Sequence, residues 1–333
     1  MKIIDVHVHY LPRDAFHKIA EDYPYLKLAV DTDETGRGYF SMMGRKLGPF
    51  RAGFFDPKKC VEDAKKRGVD ISVISLPLTI PFFYDLDPDV ALQLTRQQND
   101  AISSVTERYR ANMIGLGSVP LQCSNCAVEE LRRCVRELGL GGVQIGSNVR
   151  GKNLDENDLR PFFEEANRLH VPVLIHPSGN INAERLKRYF SSHTIGYPTE
   201  TSLAAASLIF GGVLTRFPNL VVILSHGGGF IPYQIGRLDN AYRTHPETKE
   251  KISDPPSKYL KRFYYDTVIY ESKALEFLIE MTGSDRILMG SDYPFDMEAE
   301  DPVGFVTSLN SVCKQNKDRI LSANAEKLFK VES

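Results

Sequence analysis

Short apolar, β-branched runs recur along the chain. Between them lie longer stretches where apolar residues return every three or four positions. The short runs predict strands at 3–9, 71–76, 113–119, 142–145, 171–176, 220–225, 263–267 and 286–290. The longer stretches predict helices, among them 58–67, 88–110, 128–138, 156–169, 199–217 and 272–281. Several strands are apolar throughout rather than alternating, as strands covered on both faces are. Eight strand–helix units in this order predict an α/β fold, a (β/α)8 TIM barrel. The runner-up is an open doubly wound sheet, but no GxGxxG follows the first strand.

Two segments break the rhythm. Residues 12–57 separate the first strand from the helix at 58–67, with Gly36, Gly38, Gly44, Gly48 and Gly53 scattered through them. That is too long for a plain connection, so an inserted flap or small sheet over the barrel mouth is expected. A second irregular stretch, 178–198, follows the fifth strand. No repeat interrupts the pattern, and residues 1–333 read as a single domain.

Composition narrows the function classes. With 333 residues and a formal net charge of −2, the chain offers no global field to attract nucleic acid. It has no run of the ~20 apolar residues that a membrane span needs. Its start carries one lysine and then a strand with aspartate and histidines, unlike a signal peptide. Five cysteines, an odd number, imply reduced thiols and a cytoplasmic setting. Cys123 and Cys126 form a CxxC, but no second CxxC follows and a helix starts there. No chemical role is assigned to the pair.

In such barrels, chemistry sits at the C-terminal ends of the strands. The first strand ends in "DVHVH", with His7 and His9 alternating and so facing one side. The fifth ends in "VLIHP" (His176), the sixth in "VILSHGGG" (His226) and the eighth in "ILMGSDYP" (Asp292). Each piece alone reads as an ordinary strand end. "HGGG" also resembles a lipase oxyanion loop, but no GxSxG accompanies it. Only eight histidines exist in the chain, and four fall at strand tips. Together with Asp292 they point to a metal site. Imidazoles and a carboxylate suit a borderline divalent ion such as Zn²⁺, with Mn²⁺ as an option. Three histidines and one aspartate leave a place for water, whose pKa the ion lowers from about 16 toward about 7. A further, unligated histidine can take the proton. The glycines after His226 would let substrate approach the backbone.

These residues resemble the amidohydrolase superfamily. Within it the chain is similar to the aminocarboxymuconate-semialdehyde decarboxylase family. The shared stretches are "MMG" (42–44), "FR" (50–51), "DP" (56–57), "SVPLQ" (118–122), "GVQIG" (142–146), "HGGGF" (226–230), "GRLDNAYR" (236–243), "PPSKY" (255–259) and "RILMGSDYPF" (286–295). The resemblance implies His7, His9, His176 and Asp292 as ligands of one divalent ion per chain. It implies His226 as the acid/base, with Asp292 beside it. Arg51 would hold a substrate carboxylate, gripping it with its planar fork. Arg237 would reach the neighbouring subunit's site, making a homodimer. Two-metal members use a carbamylated lysine on the fourth strand; here that strand carries Gln144, so one metal is expected. The family carries tryptophan after the fifth-strand "HP". This chain reads "HPSGN" and has no tryptophan, so its pocket wall differs.

The expected activity is metal-dependent, O₂-independent removal of CO₂ from an unsaturated or aromatic carboxylic acid, such as 2-amino-3-carboxymuconate 6-semialdehyde or a hydroxybenzoate. The alternative keeps the site and changes the reaction to hydrolysis of a lactone or amide, or hydration of a dienoic acid. A non-catalytic metal protein is a third reading, but a closed structural site needs no extra histidine.

Overall fold

The structure is a computed structural model, and it describes residues 1–34, 37–77, 83–179 and 181–331. Eight parallel strands follow one another around a barrel: β1 (Ile4–His9), then β5 (Ile71–Ser75), β6 (Met113–Ser118), β7 (Gly142–Gly146), β8 (Pro172–His176), β9 (Val221–Leu224), β10 (Phe263–Asp266) and β11 (Ile287–Leu288). Helices run between them, as the 3.6-residue periodicity predicts. Apolar strand residues Ile4, Val6, Val73, Leu116, Leu174, Ile223 and Leu288 form one buried cluster with Ala325 and Phe329 of helix Asn324–Phe329. A larger cluster ties strands to the surrounding helices.

The barrel closes between β11 and β1 by a short, irregular seam. Val6 N–H donates to Met289 O (2.9 Å), Asp292 N–H to His7 O (2.9 Å) and His9 N–H to Tyr293 O (2.7 Å). This seam sets Asp292 beside His7 and His9.

Several element bounds differ from the sequence reading. The last strand shrinks to two residues because Ser284–Arg286 form a 3-10 turn ahead of it. The helix expected at 199–217 is two helices, Tyr197–Phe210 and Val213–Arg216. The Gly211-Gly212 pair divides them, and Gly212 has φ +71°, a conformation costly for other residues.

Residues 12–57 hold more structure than their irregular pattern predicts. Helix Arg13–Asp22 follows β1 directly and buries Phe16 and Ile19. An antiparallel sheet of β2 (Ala29–Thr32), β3 (Gly38–Met42) and β4 (Arg45–Phe50) comes next. The 3-10 turn Ala52–Phe54 leads to helix Pro57–Lys66, which Asp56 caps through the amides of Lys58 and Lys59. Gly36 lies outside the described residues.

The reduced-thiol expectation fails at one place. Cys123 and Cys126 are joined in a disulfide where helix Ser124–Arg136 begins. The first helical turn brings residues three apart to a Cα separation of 5.2 Å, within disulfide reach. Cys60 and Cys134 are free and buried, and Cys313 is free and exposed. Among the described residues, no helix is long and apolar enough to cross a membrane.

Candidate active site

The strand tips converge as the sequence predicts. His7 and His9 end β1, and both are fully buried. His176 ends β8, and Asp292 follows β11 after a sharp turn at φ +63°. One ligand atom from each of these four residues lies within 4.8 Å of every other. His7 Nε2 is 3.1 Å from His9 Nε2, and Asp292 Oδ1 is 3.0 Å from His9 Nε2 and 3.4 Å from His7 Nε2.

Each imidazole is oriented from behind. His7 Nδ1–H donates to Asp266 Oδ2 at 2.7 Å. His9 Nδ1 faces Leu76 O at 3.2 Å, and His176 Nδ1 faces Pro177 O at 3.3 Å. These partners fix the Nδ1–H tautomer, so the Nε2 lone pairs turn toward one point. Two Nε2 atoms 3.1 Å apart need positive charge between them, either a proton on His7 or a metal cation. His176 Nε2 is buried and has no hydrogen-bond partner among the described residues. A divalent ion fits this donor set: it accepts all three Nε2 atoms and the Asp292 carboxylate.

The electrostatics point the same way. Burial alone would neutralise Asp292, yet the charge on His7 and the hydrogen bonds from His226 and His9 hold it well below the usual carboxylate range. Burial pulls His7 down, but the carboxylates of Asp292 and Asp266 outweigh it and lift its pKa to about 9. Burial, helped by the His7 charge, pushes His9 and His176 below the usual imidazole range. Two buried carboxylates thus demand positive charge where the ligand atoms meet.

His226 stands apart from this set. It follows β9 in a left-handed conformation (φ +53°), and its Nε2 lies 3.5 Å from Asp292 Oδ2. The three glycines behind it are required by the backbone as well. Gly227, Gly228 and Gly229 all have positive φ, and a Cβ on Gly228 would meet the Tyr265 ring at 2.7 Å. Conformation and packing demand glycine there; only Gly229 reaches the cavity wall.

A cavity of about 870 Å³ opens above the cluster, with His176, His226 and Asp292 in its wall. Aromatic rings dominate the rest, including Phe50, Phe54, Phe190, Tyr197, Phe230 and Phe295. Arg51 lies at the rim, paired with Glu298 and, at 3.8 Å, with Asp296. Burial raises the pKa of Glu298, against the pull of Arg51. Arg237 is elsewhere: it is exposed on helix Ile231–Thr244 and does not line the cavity. Gln144, in place of a fourth-strand lysine, is buried and donates to Leu76 O at 3.1 Å.

Two buried acids and a half-buried one escaped the sequence reading. Asp266 ends β10 and accepts from His7 Nδ1, the His226 and Gly227 amides (2.9 Å each) and the Val268 amide (3.1 Å). Asp5 accepts from the His7 and Ser291 amides and from Ser291 Oγ, bracing both sides of the seam. Glu298 holds Arg51. "FYYD" at a strand tip was the available signal for Asp266, and "DVHVH" itself contains Asp5.

The amidohydrolase family profile matches residues 4–331. The chain belongs to the amidohydrolase family. The 2-amino-3-carboxymuconate-6-semialdehyde decarboxylase of Dictyostelium discoideum is 36% identical over 326 residues, 97% of this chain and 90% of that protein. This places the chain in the aminocarboxymuconate-semialdehyde decarboxylase branch of the amidohydrolases. Among solved structures, the Metarhizium anisopliae IDCase in apo form superposes with a TM-score of 0.86 at 21% identity, covering 100% of this chain and 98% of that one. The dihydroxybenzoic acid decarboxylase of Polaromonas sp. JS666, solved with manganese and the inhibitor 2-nitroresorcinol, gives 0.79 at 24% identity, covering 99% and 97%. Both show the same barrel fold.

Proposed function

We propose that this amidohydrolase is a metal-dependent decarboxylase of an aromatic or unsaturated carboxylic acid. The observation that carries the reading is the buried cluster of three histidines and an aspartate at the floor of an aromatic cavity, with His226 against Asp292. The Dictyostelium and Polaromonas relatives named above are decarboxylases of such acids.

His7, His9, His176 and Asp292 would hold one divalent ion, which supplies Lewis acidity toward a substrate oxygen. The donor set suits zinc, and the manganese of the Polaromonas enzyme keeps that ion as an option. The aromatic walls stack a planar substrate and exclude water. Arg51 turns the substrate carboxylate toward the floor. His226, beside Asp292, delivers a proton from Nε2 to the carbon bearing the carboxylate. The C–C bond then breaks, its electron pair restores the conjugated system, and CO₂ departs. No oxidant enters the balance.

The chain reads best as one barrel domain, with 12–57 as a flap that places Phe50, Arg51 and Phe54 in the cavity wall. A homodimer accounts for Arg237, which is exposed and away from the cavity of its own chain.

Purified protein screened for CO₂ release tests the function directly. Carboxymuconate semialdehyde or hydroxybenzoates should release CO₂, chelation should abolish it and added Zn²⁺ or Mn²⁺ should restore it. Less than about 0.3 metal per chain with no rescue, or lactone opening without any CO₂ release, would sink the reading. The dimer has its own test. Inactive Arg51→Ala and Arg237→Ala chains, mixed, should recover about a quarter of wild-type activity, because half the dimers are mixed and each has one intact site. No recovery removes Arg237 from the site.

A further inference from the structure

Asp292 sits at φ +63°, where few non-glycine residues are found, so its aim depends on what holds the chain on either side. Its two neighbours supply the fixing points. Ser291 is anchored to Asp5 by its amide and its hydroxyl. The Tyr293 amide donates to Ser291 Oγ at 3.2 Å, and the Tyr293 phenol donates to Asp63 Oδ2 at 2.9 Å. Gly53 leaves room for that phenol: a Cβ there would sit 1.9 Å from the hydroxyl oxygen.

One side chain reaches both neighbours at once. Arg67 follows helix Pro57–Lys66 directly, and its Nε donates back to Asp63 O at 3.3 Å. Its Nη1 donates to Ser291 Oγ at 3.2 Å, while the guanidinium lies over the Tyr293 ring, 4.2 Å from the centroid. A planar fork can donate along its edge and stack with its face in this way; an ammonium cannot. The charge of Arg67 also reaches the acids around the site. Burial pushes the pKa of Asp5 up, and Arg67 is the strongest pull against it. Arg67 pulls in the same sense on Glu298, the partner of Arg51. Yet Arg67 does not line the cavity. It is placed to act on the site without touching a substrate.

Ending its own helix needs only the bond to Asp63 O. The contacts with Ser291 and Tyr293 do more, because they bracket a single residue between them. We propose that Arg67 is a positioning residue for Asp292, gripping the residues on either side of it so that its carboxylate faces the imidazoles of the cluster. This rests on the reading of Asp292 as a metal ligand, but not on which acid is decarboxylated.

Loading with Co²⁺ tests it without turnover, because the visible spectrum of the bound ion follows its ligand geometry. Arg67→Met keeps an apolar stem against Tyr293 and loses the donor and the charge. At saturating Co²⁺ its spectrum should differ from that of the wild type, and competition with a chelator should show Zn²⁺ bound about 10-fold more weakly. A merely structural arginine would lower the urea midpoint and leave the spectrum of the bound ion unchanged. Arg67→Lys keeps a charge for Asp5 but not the flat stack. It should fold, with a spectrum and an affinity between those of the wild type and Arg67→Met. The proposal is overturned if Arg67→Met, or Arg67→Lys where the methionine variant does not fold, gives the wild-type spectrum at saturation. A wild type that takes up no Co²⁺ overturns the metal reading and this one together. Absence of CO₂ release from a protein whose spectrum responds to Arg67 is a failure of the decarboxylase reading alone.

Discussion

His226→Asn lowers the rate of CO₂ release by about 1000-fold and leaves bound metal at the wild-type level. The size follows from losing a positioned proton donor, which is worth roughly 10²–10⁴. The specificity of the outcome follows from geometry. His226 touches Asp292 Oδ2 at 3.5 Å and is not one of the four groups whose ligand atoms converge. Asparagine is the right replacement because His226 sits at φ +53°, a region that asparagine tolerates better than other L-residues. Alanine would add backbone strain to the chemical loss. Elemental analysis beside single-turnover CO₂ release separates the two effects. Metal loss in step with activity loss would make His226 a ligand instead of the acid.

The second large effect is at Asp266, a residue that need not touch substrate. Asp266→Asn weakens metal binding by about 10–100-fold, read by competition with a chelator of known affinity. A carboxylate accepts the His7 Nδ1 proton; an amide nitrogen in its place would donate to Nδ1. The proton would then move to Nε2 and block the lone pair that faces the cluster. Asp266→Ala goes further. It strips partners from the His226, Gly227 and Val268 amides and leaves His7 Nδ1 without its acceptor, at full burial. Breaking a buried pair in this way costs about 3–5 kcal/mol, measurable as a fall in the urea midpoint. An unchanged chelator competition curve for Asp266→Asn would mean that His7 is oriented by something else.

The five strand-tip residues were legible because two regularities coincide there. Strand periodicity places His7 and His9 on one side, and barrel architecture gathers His176, His226 and Asp292 from distant segments. Asp266 and Asp5 fell under the same two cues, one at a strand tip and one two residues before His7, but the histidines were read and the aspartates beside them were not. What each aspartate does lies in which amides face it. The same limit applies to Glu298, whose partner Arg51 is fixed only by a loop path. The disulfide between Cys123 and Cys126 was missed for another reason: counting cysteines suggests a redox setting but does not measure the distance across a helical turn. At "HGGG" the residues were noticed, and the structure adds a requirement of backbone conformation that spacing does not reveal.

The seam between β11 and β1 also carries a consequence for how the molecule comes into being. Asp292 meets His7 and His9 across 283 residues of sequence in the His9 contact. During synthesis, the first strand leaves the ribosome long before its partner exists, so the histidine pair has no carboxylate beside it until the last turn of the barrel arrives. Closure over so long a loop is entropically slow. Ion capture and ring closure therefore become a single late event, and a nascent chain halted before residue 292 would hold three of the four ligands without the carboxylate that locks them.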